Sequence, residues 1–407
     1  MLHSKRQEQL SRLDGQTRLL LLVQTLFTSA NALSGIFVNV YLWRAKENFA
    51  TIGWFALSHQ LFMMVTFIAA GKWVKERNKM NSLRLGVMLS AVFYLLVLLF
   101  SKQAADWAIL LGAVQGLSSA FFWLAFNVVY FEVTDRENRD RFNGLAGLFG
   151  SAAGMFAPWL SGFLITHMAD TSGYRLIFTL SLAIFVVGAI ASFFLHRRPA
   201  QPAYEWFYGL NILRQRENPW RQAYPALMAQ GMREGVFIFL IGLMVYIATK
   251  NELQLGNYTL ISSAVSLVAF YFAGKWIKPG RRSIPMLAGA VAMTVVIIPF
   301  FWRVDYTMLL IFGIVIGLAY PLYSIPITSA VFDLIGSNDD SVSHRVEFVV
   351  LRETALNMGR MIGIIAFVTV VSITTRSIPL IVLMMALGSA PILSWWFLRR
   401  HLAAGVK

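Results

Sequence analysis

Gly71-Lys72-Trp73-Val74-Lys75 and Gly274-Lys275-Trp276-Ile277-Lys278 are one basic phrase written twice, 203 positions apart, in a chain of 407 residues. Further matches lie at an offset of 201, where Gly112, Gly116 and Leu117 answer Gly313, Gly317 and Leu318, and Phe131-Glu132 answers Phe332-Asp333. Independent coincidences at nearly one spacing identify an internal repeat, so two parallel copies of one unit are expected. The copies are assigned to residues 1–196 and 223–407. A polar linker at 197–222, holding Pro199, Pro202, Pro219 and several arginines, joins them.

Composition says what each copy is made of. Hydrophobic residues are 57% of the chain and charged ones 14%, too few charges to cover a soluble surface. The apolar residues fall in runs of roughly 20, the length at which an α-helix crosses a hydrocarbon core. Such runs are read at 19–43, 51–71, 84–101, 106–131, 143–166, 174–195, 225–249, 256–274, 284–302, 305–332, 347–372 and 377–398. The expected fold is an all-α membrane protein, with 12 transmembrane helices in two pseudo-symmetric six-helix bundles. The first run follows a basic amphipathic start (Lys5, Arg6, Arg12, Arg18), has no small-residue cleavage pattern and is too long for a signal sequence, so it is read as retained.

The net charge of +15 has two possible meanings, a nucleic-acid surface or a topology signal, and the positions of the charges decide between them. Of the 35 Lys and Arg residues, 25 lie in the termini and even-numbered connections, 7 in the odd-numbered connections and three inside spans. Lys and Arg resist translocation, so both termini are expected in the cytoplasm of a bacterial cell, and no nucleic-acid partner is needed to explain the charge. Zero cysteines exclude disulfides and thiolate chemistry. No two of His3, His59, His167, His196, His344 and His401 stand at ligand spacing on one helix, and phosphate-loop, dinucleotide and hydrolase motifs are absent. Neither a metal, a cofactor nor an enzyme activity is expected.

Six plus six helices with both ends inside and a basic, Gly-led connection after span 2 resemble the major facilitator superfamily over the whole chain. The stretch from Gly71 to Lys79 is similar to the superfamily loop signature, Gly-x-x-x-Asp-Arg-x-Gly-Arg-Lys. It keeps the leading Gly and basic tail, with Lys75 in the Asp position. Gly112 to Ala120 looks like the span 4 signature of proton-linked exporters, with Gly112 in place of Arg. Gly147, Gly150 and Gly154 followed by Ala157-Pro158-Trp159-Leu160-Ser161-Gly162 are similar to the span 5 antiporter signature, which implies close helix approach and a Pro bend. The resemblance also implies that spans 1, 4, 7 and 10 line a central cavity. It implies an inner gate in which Glu132 and Asp333 meet the basic loop residues Lys72, Lys75, Arg77, Lys275, Lys278 and Arg281, led by Gly71 and Gly274.

Charges inside spans are the most informative residues, because each costs about 2.5–3.5 kcal/mol at a helix centre on insertion scales. Span 7 carries Arg233 and Glu234 near the midplane. Span 11 carries Arg352, Glu353 and Arg360, with Glu353, Asn357 and Arg360 on one face at i, i+4 and i+7. All five charges belong to the second copy. Adjacent helical residues point about 100° apart, so one member of each doublet is expected to face the cavity and the other a neighbouring helix. They are read either as fixed salt bridges joining helices 7 and 11, or as a proton-exchanging Glu234 or Glu353 beside an arginine that binds an anionic group or tunes the carboxylate.

The first copy is polar without charge. Asn31, Gly35 and Asn39 share one face of span 1, and Trp123, Asn127 and Tyr130 one face of span 4. By resemblance these residues, with Tyr320, Tyr323 and Ser324 of span 10, are candidate substrate contacts, and an amide and aromatic wall opposite a charged one suits an amphipathic molecule. His59 is read as a packing residue or a titrating one. Pro321 and Pro326, with Gly313 and Gly317, can soften span 10.

The expected function is a secondary active transporter that moves a small amphipathic molecule across the cell membrane by alternating access, by proton-coupled efflux, as a monomer among membrane lipids. A lipid or lipid-linked flippase and a non-transporting scaffold for an envelope enzyme are the alternatives.

Overall fold

A computed structural model describes residues 13–133, 139–169, 171–196, 203–335, 343–374 and 376–404. Twelve of its helical segments are long and apolar enough to cross a membrane, the ninth only when its 3-10 turn is counted through Phe301. They are α1 (Gly15–Lys46), α2 (Phe49–Glu76), α3 (Lys79–Phe100), α4 (Ala108–Val133), α5 (Arg139–Thr166), α6 (Ser172–Phe193), α7 (Trp220–Thr249), α8 (Glu252–Trp276), α9 (Ser283–Val295), α10 (Tyr306–Ile335), α11 (Arg345–Ile373) and α12 (Ser377–Ala404). Span 9 is not one α-helix: α9 stops at Val295 and a 3-10 turn, Ile298–Phe301, begins just ahead of Pro299, which has no N–H to continue the ladder. A seven-residue helix, Tyr208–Arg214, lies in the linker.

The repeat is visible in the turns. Glu47 and Lys250, 203 apart, both take the left-handed conformation that ends α1 and α7. Asn48 and Asn251 follow them and cap α2 and α8 by accepting backbone N–H groups of the first turn. Helix pairing repeats as well. In the first bundle α1 packs on α5 and α6, α2 on α4, and α3 on α4 and α6. The second bundle makes the corresponding pairs six helices later, α7 with α11 and α12, α8 with α10, and α9 with α10 and α12.

Two seams join the bundles, α2 with α11 and α5 with α8, helped by a smaller contact of α1 with α7. An even number of helices puts both chain ends on one face, the terminal face. The α2–α11 seam is in contact at both ends, from Gly53 beside Phe367 and Val368 to Lys75 beside Glu347. The α5–α8 seam is tight only at the opposite face, where a Cβ on Gly162 would lie 2.4 Å from the Glu252 carbonyl oxygen. Toward the terminal face it parts, leaving a cleft of about 730 Å³ lined by Gly144, Gly147, Ser151 and Gly154 on α5 and by Ser266 and Phe270 on α8, among others. The close approach expected of Gly147, Gly150 and Gly154 is therefore not made, for a Cβ on any of them meets no atom within 4 Å.

Candidate functional site

Glycine decides how the mid-membrane charges meet. A Cβ at Gly231 would lie 2.2 Å from the Leu356 carbonyl oxygen, and one at Gly359 would lie 2.0 Å from that of Met228. Only glycine tolerates that separation of α7 and α11. The approach brings Glu234 and Arg360, each near the middle of its helix, to 3.0 Å between Oε2 and Nη2, with side chains 19% and 20% exposed. Glu234 Oε1 also accepts from Gln230 Nε2 at 2.8 Å and from the Tyr320 hydroxyl of α10 at 3.5 Å. Arg360 Nη1 donates to Asn357 Oδ1 at 3.4 Å, and Asn357 Nδ2 to the Glu353 carbonyl oxygen at 2.8 Å. One carboxylate thus joins α7, α10 and α11.

The second doublet behaves differently from the expected split between cavity and neighbour. Arg352 and Glu353 pair with each other, Nη1 to Oε1 at 2.5 Å, because the long Arg side chain folds back past the helix rise. The Arg352 guanidinium also lies 5.5 Å from the centre of the Phe332 ring. Arg233 joins neither pair. It is 6% exposed, sits 4.7 Å over the Phe237 ring, and its Nε has no hydrogen-bond partner among the described residues.

The first-bundle candidates are spread along α1 and α4. Asn31 Nδ2 donates back to the Phe27 carbonyl oxygen at 2.9 Å, whereas the Asn39 Oδ1 is buried without a partner among the described residues. Trp123 stands edge-on to Phe27, Phe122 and Phe126, and Asn127, one turn on, is half-buried. Tyr130 donates to Asn143 of α5 at 2.9 Å. In α10, Tyr323 and Ser324 are buried, the Tyr323 hydroxyl beside Ser394 and that of Ser324 without a hydrogen-bond partner among the described residues. The His59 carbonyl oxygen, in α2, faces Gly116 of α4.

On the terminal face the acids do not meet the residues that the loop resemblance implies. Glu132 pairs with Lys79, and Asp333 pairs with Arg282 at 2.5 Å. Both bases lie at the starts of α3 and α9, the helices packed on α4 and α10, so each pair closes within its own bundle. Lys72, Arg77, Lys275, Lys278 and Arg281 are exposed, as is Gly274, and Lys72 has only a 3.8 Å contact to Glu76. The residue that does cross between bundles is Lys75. Its Nζ lies 2.6 Å from Glu347 Oε1, and each side chain is 1% exposed. Glu347 Oε1 also accepts the Glu205 amide at 3.1 Å, while the Tyr204 amide donates to Glu76. The linker thus lies across this seam, with the Tyr204 ring over Gly71, where a Cβ would lie 2.8 Å from its hydroxyl. Burial, and secondarily the Glu347 carboxylate, push the Tyr204 phenol above its ordinary range.

The opposite face is sealed by a group that loop counting hides. Glu252, at the start of α8, accepts from Arg44 Nη1 of α1 at 2.9 Å and from the Tyr174 hydroxyl of α6 at 2.8 Å, all on Oε1. Sequence reasoning passes over Glu252, Glu347 and Arg282, names Lys79 only as the end of the loop signature, and treats Arg44 only as a loop charge. Lys79 and Arg282 had a signal, since they share the 203 offset of the glycine-led phrase. Glu347 and Glu252 had none, since each stands at a helix end where a solvated charge is ordinary.

Comparison with known proteins places this geometry. The family profile described as Major Facilitator Superfamily matches residues 20–339. The chain is 37% identical over 382 residues to the uncharacterized protein YqgE of Bacillus subtilis (strain 168), covering 93% of this chain and 88% of the relative. Its fold is similar to the nucleoside transporter NupG, with a TM-score of 0.70, 14% identity, and coverage of 95% and 99% of the two chains. It is also similar to a bacterial homologue of the iron transporter ferroportin, with a TM-score of 0.67, 15% identity and coverage of 95% and 98%. At these identities the structural likeness establishes the fold alone.

Proposed function

The chain belongs to the Major Facilitator Superfamily, and from that premise we propose that it exports a small amphipathic molecule by proton-coupled alternating access. The class itself is secure: a multi-pass membrane protein and secondary transporter, not an enzyme. In the proposal the terminal face is the cytoplasmic one, as the distribution of Lys and Arg argues. The protein works as a monomer in the cell membrane, and the bundles 1–196 and 223–407 rock about the 197–222 linker.

The observation that carries the reading is the Glu234–Arg360 pair, partly exposed at mid-membrane and held by α7, α10 and α11. A protonated Glu234 loses the charge that holds Arg360, which frees α11 from α7 and α10. The deprotonated acid restores the link. A carboxylate that alternates between those states converts a proton gradient into helix movement. Glu353, already paired by Arg352, supports the helix rather than the exchange. Asn31, Asn39, Trp123, Asn127, Tyr320, Tyr323 and Asn357 supply the uncharged contacts to the substrate.

The test uses proteoliposomes with an imposed pH gradient and a panel of fluorescent amphiphiles. Accumulation is expected to collapse on adding a protonophore and in Glu234→Gln, with Glu353→Gln affected less. Accumulation indifferent to the protonophore overturns the coupling. The cleft between α5 and α8 favours a second reading, movement of a lipid or lipid-linked molecule, because it offers a lateral way in at the level of one leaflet. Protein-dependent flipping of a fluorescent phospholipid, measured by dithionite quenching, would select that reading.

A further inference from the structure

Five charges lie away from the ends of the second bundle's spans, three positive and two negative. Glu234 is matched by Arg360 and Glu353 by Arg352. One guanidinium, Arg233, remains, and it is the most deeply buried of the three arginines at 6% exposure. An ion held in a low-dielectric interior without a counter-ion carries a penalty of several kcal/mol. Lys or His could escape that penalty by losing a proton, but Arg stays charged in proteins.

The surroundings have the same deficit. The electrostatic neighbours of Arg233 are Tyr320 and Tyr323 on α10, Tyr258 on α8, and Glu234. On those two flanking helices the hydroxyls of Tyr323 and Ser262 are buried, each with only a loosely aligned neighbour, Ser394 and Tyr258. Glu234 is already held by Arg360, Gln230 and Tyr320, so among the described residues no carboxylate is left to form an ion pair with Arg233. Phe237 forms an apolar floor beneath the guanidinium.

We propose that Arg233 and the flanking hydroxyls form a binding site for the anionic group of the substrate, so that the transported molecule is an organic anion with an apolar, ring-sized body. The proposal rests on the transport reading above and names its substrate class. The chemistry fits two sources, a water-soluble organic acid or an anionic membrane lipid. Arg360 and Arg352 are occupied by their own carboxylates and play no part in holding the anion.

Thermal unfolding of the purified protein tests this. In detergent, 4-phenylbutyrate is compared with its uncharged amide and with 4-phenylbutylamine. In lipid nanodiscs, phosphatidylglycerol is compared with phosphatidylcholine. The carboxylate, the anionic lipid or both are expected to raise the melting temperature of the wild type with increasing concentration, and the amide and amine are not. Arg233→Met is expected to abolish that rise and, without ligand, to melt at or above the wild-type temperature, because an uncompensated buried charge has been removed. A shift from the lipid arm alone assigns the lipid source, and one from the carboxylate alone assigns the soluble one. Stabilisation by the amine or amide equal to that by the carboxylate overturns the proposal. So does an unliganded Arg233→Met protein that melts several degrees lower, or the absence of any shift from both anions. Binding of the amine would sink the anionic class and leave proton-coupled transport standing, whereas protonophore-insensitive accumulation would do the reverse.

Discussion

The two seams are related by the internal repeat, yet one is closed at both ends and the other is open at the terminal face. Their sequences explain the contrast. When α5 and α11 are aligned by their first arginines, Arg139 and Arg345, the residues Phe142, Leu145 and Met155 coincide with Phe348, Leu351 and Met361. In that register Arg141 stands where α11 has Glu347, and Gly147, Ser151 and Gly154 stand where it has Glu353, Asn357 and Arg360. The partner helices repeat too, with Lys75 on α2 answered by Lys278 just past the end of α8. One seam sets Lys75 against Glu347 and closes, while the other presents a glycine and serine face to α8 and parts. A duplicated fold has specialised by changing the residues of one helix face, leaving its helix pairings alone.

The comparison can be broken most severely at the closed seam. Lys75→Met leaves Glu347 buried without its counter-charge and is expected to cost about 3–5 kcal/mol, seen as a large drop in melting temperature in detergent. The double variant Lys75→Met with Glu347→Leu is expected to recover most of that loss, because an apolar pair replaces a desolvated ionic one. A double variant as unstable as the single one would show that the seam depends on something other than this pair.

The seal at the opposite face comes next. Tyr174→Phe removes one hydrogen bond to the charged Glu252 and is expected to cost about 1.5–3 kcal/mol. It should also raise the reactivity of a cysteine placed at Gly256, in a chain that has no cysteine of its own. Unchanged labelling would show that the seal is held without Tyr174.

The smallest effects on stability belong to the open seam. A Cβ at Gly147 meets no atom within 4 Å, so the stability of Gly147→Leu should stay within about 0.5 kcal/mol of wild type, while transport falls if the seam closes during the cycle. Full transport by this variant would mean that the cleft never shuts.

Much of the fold was legible because hydropathy and repetition are properties of the chain itself. The basic phrase at Gly71 and Gly274 fixed the repeat, and the apolar runs located all 12 helices, differing at the ends by a few residues and at span 9 by the break around Pro299. The mid-membrane charges were legible for the same reason: a charge in an apolar run is conspicuous without any structure. Partner choice was not. That Glu132 takes Lys79 rather than Lys72, Lys75 or Arg77 depends on α3 packing against α4. That Glu347 meets Lys75 depends on two bundles meeting across 272 residues of chain. The lone state of Arg233 could emerge only after the other four charges had been paired off.

The linker is fastened to the seam that is shut. Tyr204 rests on Gly71, and the Glu205 amide is bound to Glu347, so the covalent connection passes over the terminal end of the closed seam. A strap fastened at the hinge hardly changes length as the leaves swing. The connection therefore needs no slack to permit a wide stroke at the far edge, and it adds stiffness against sliding and twisting of one bundle on the other. Shortening its exposed turn near Gln215 to Glu217 should leave the amplitude of opening untouched, whereas loosening Tyr204 should let the axis itself wander.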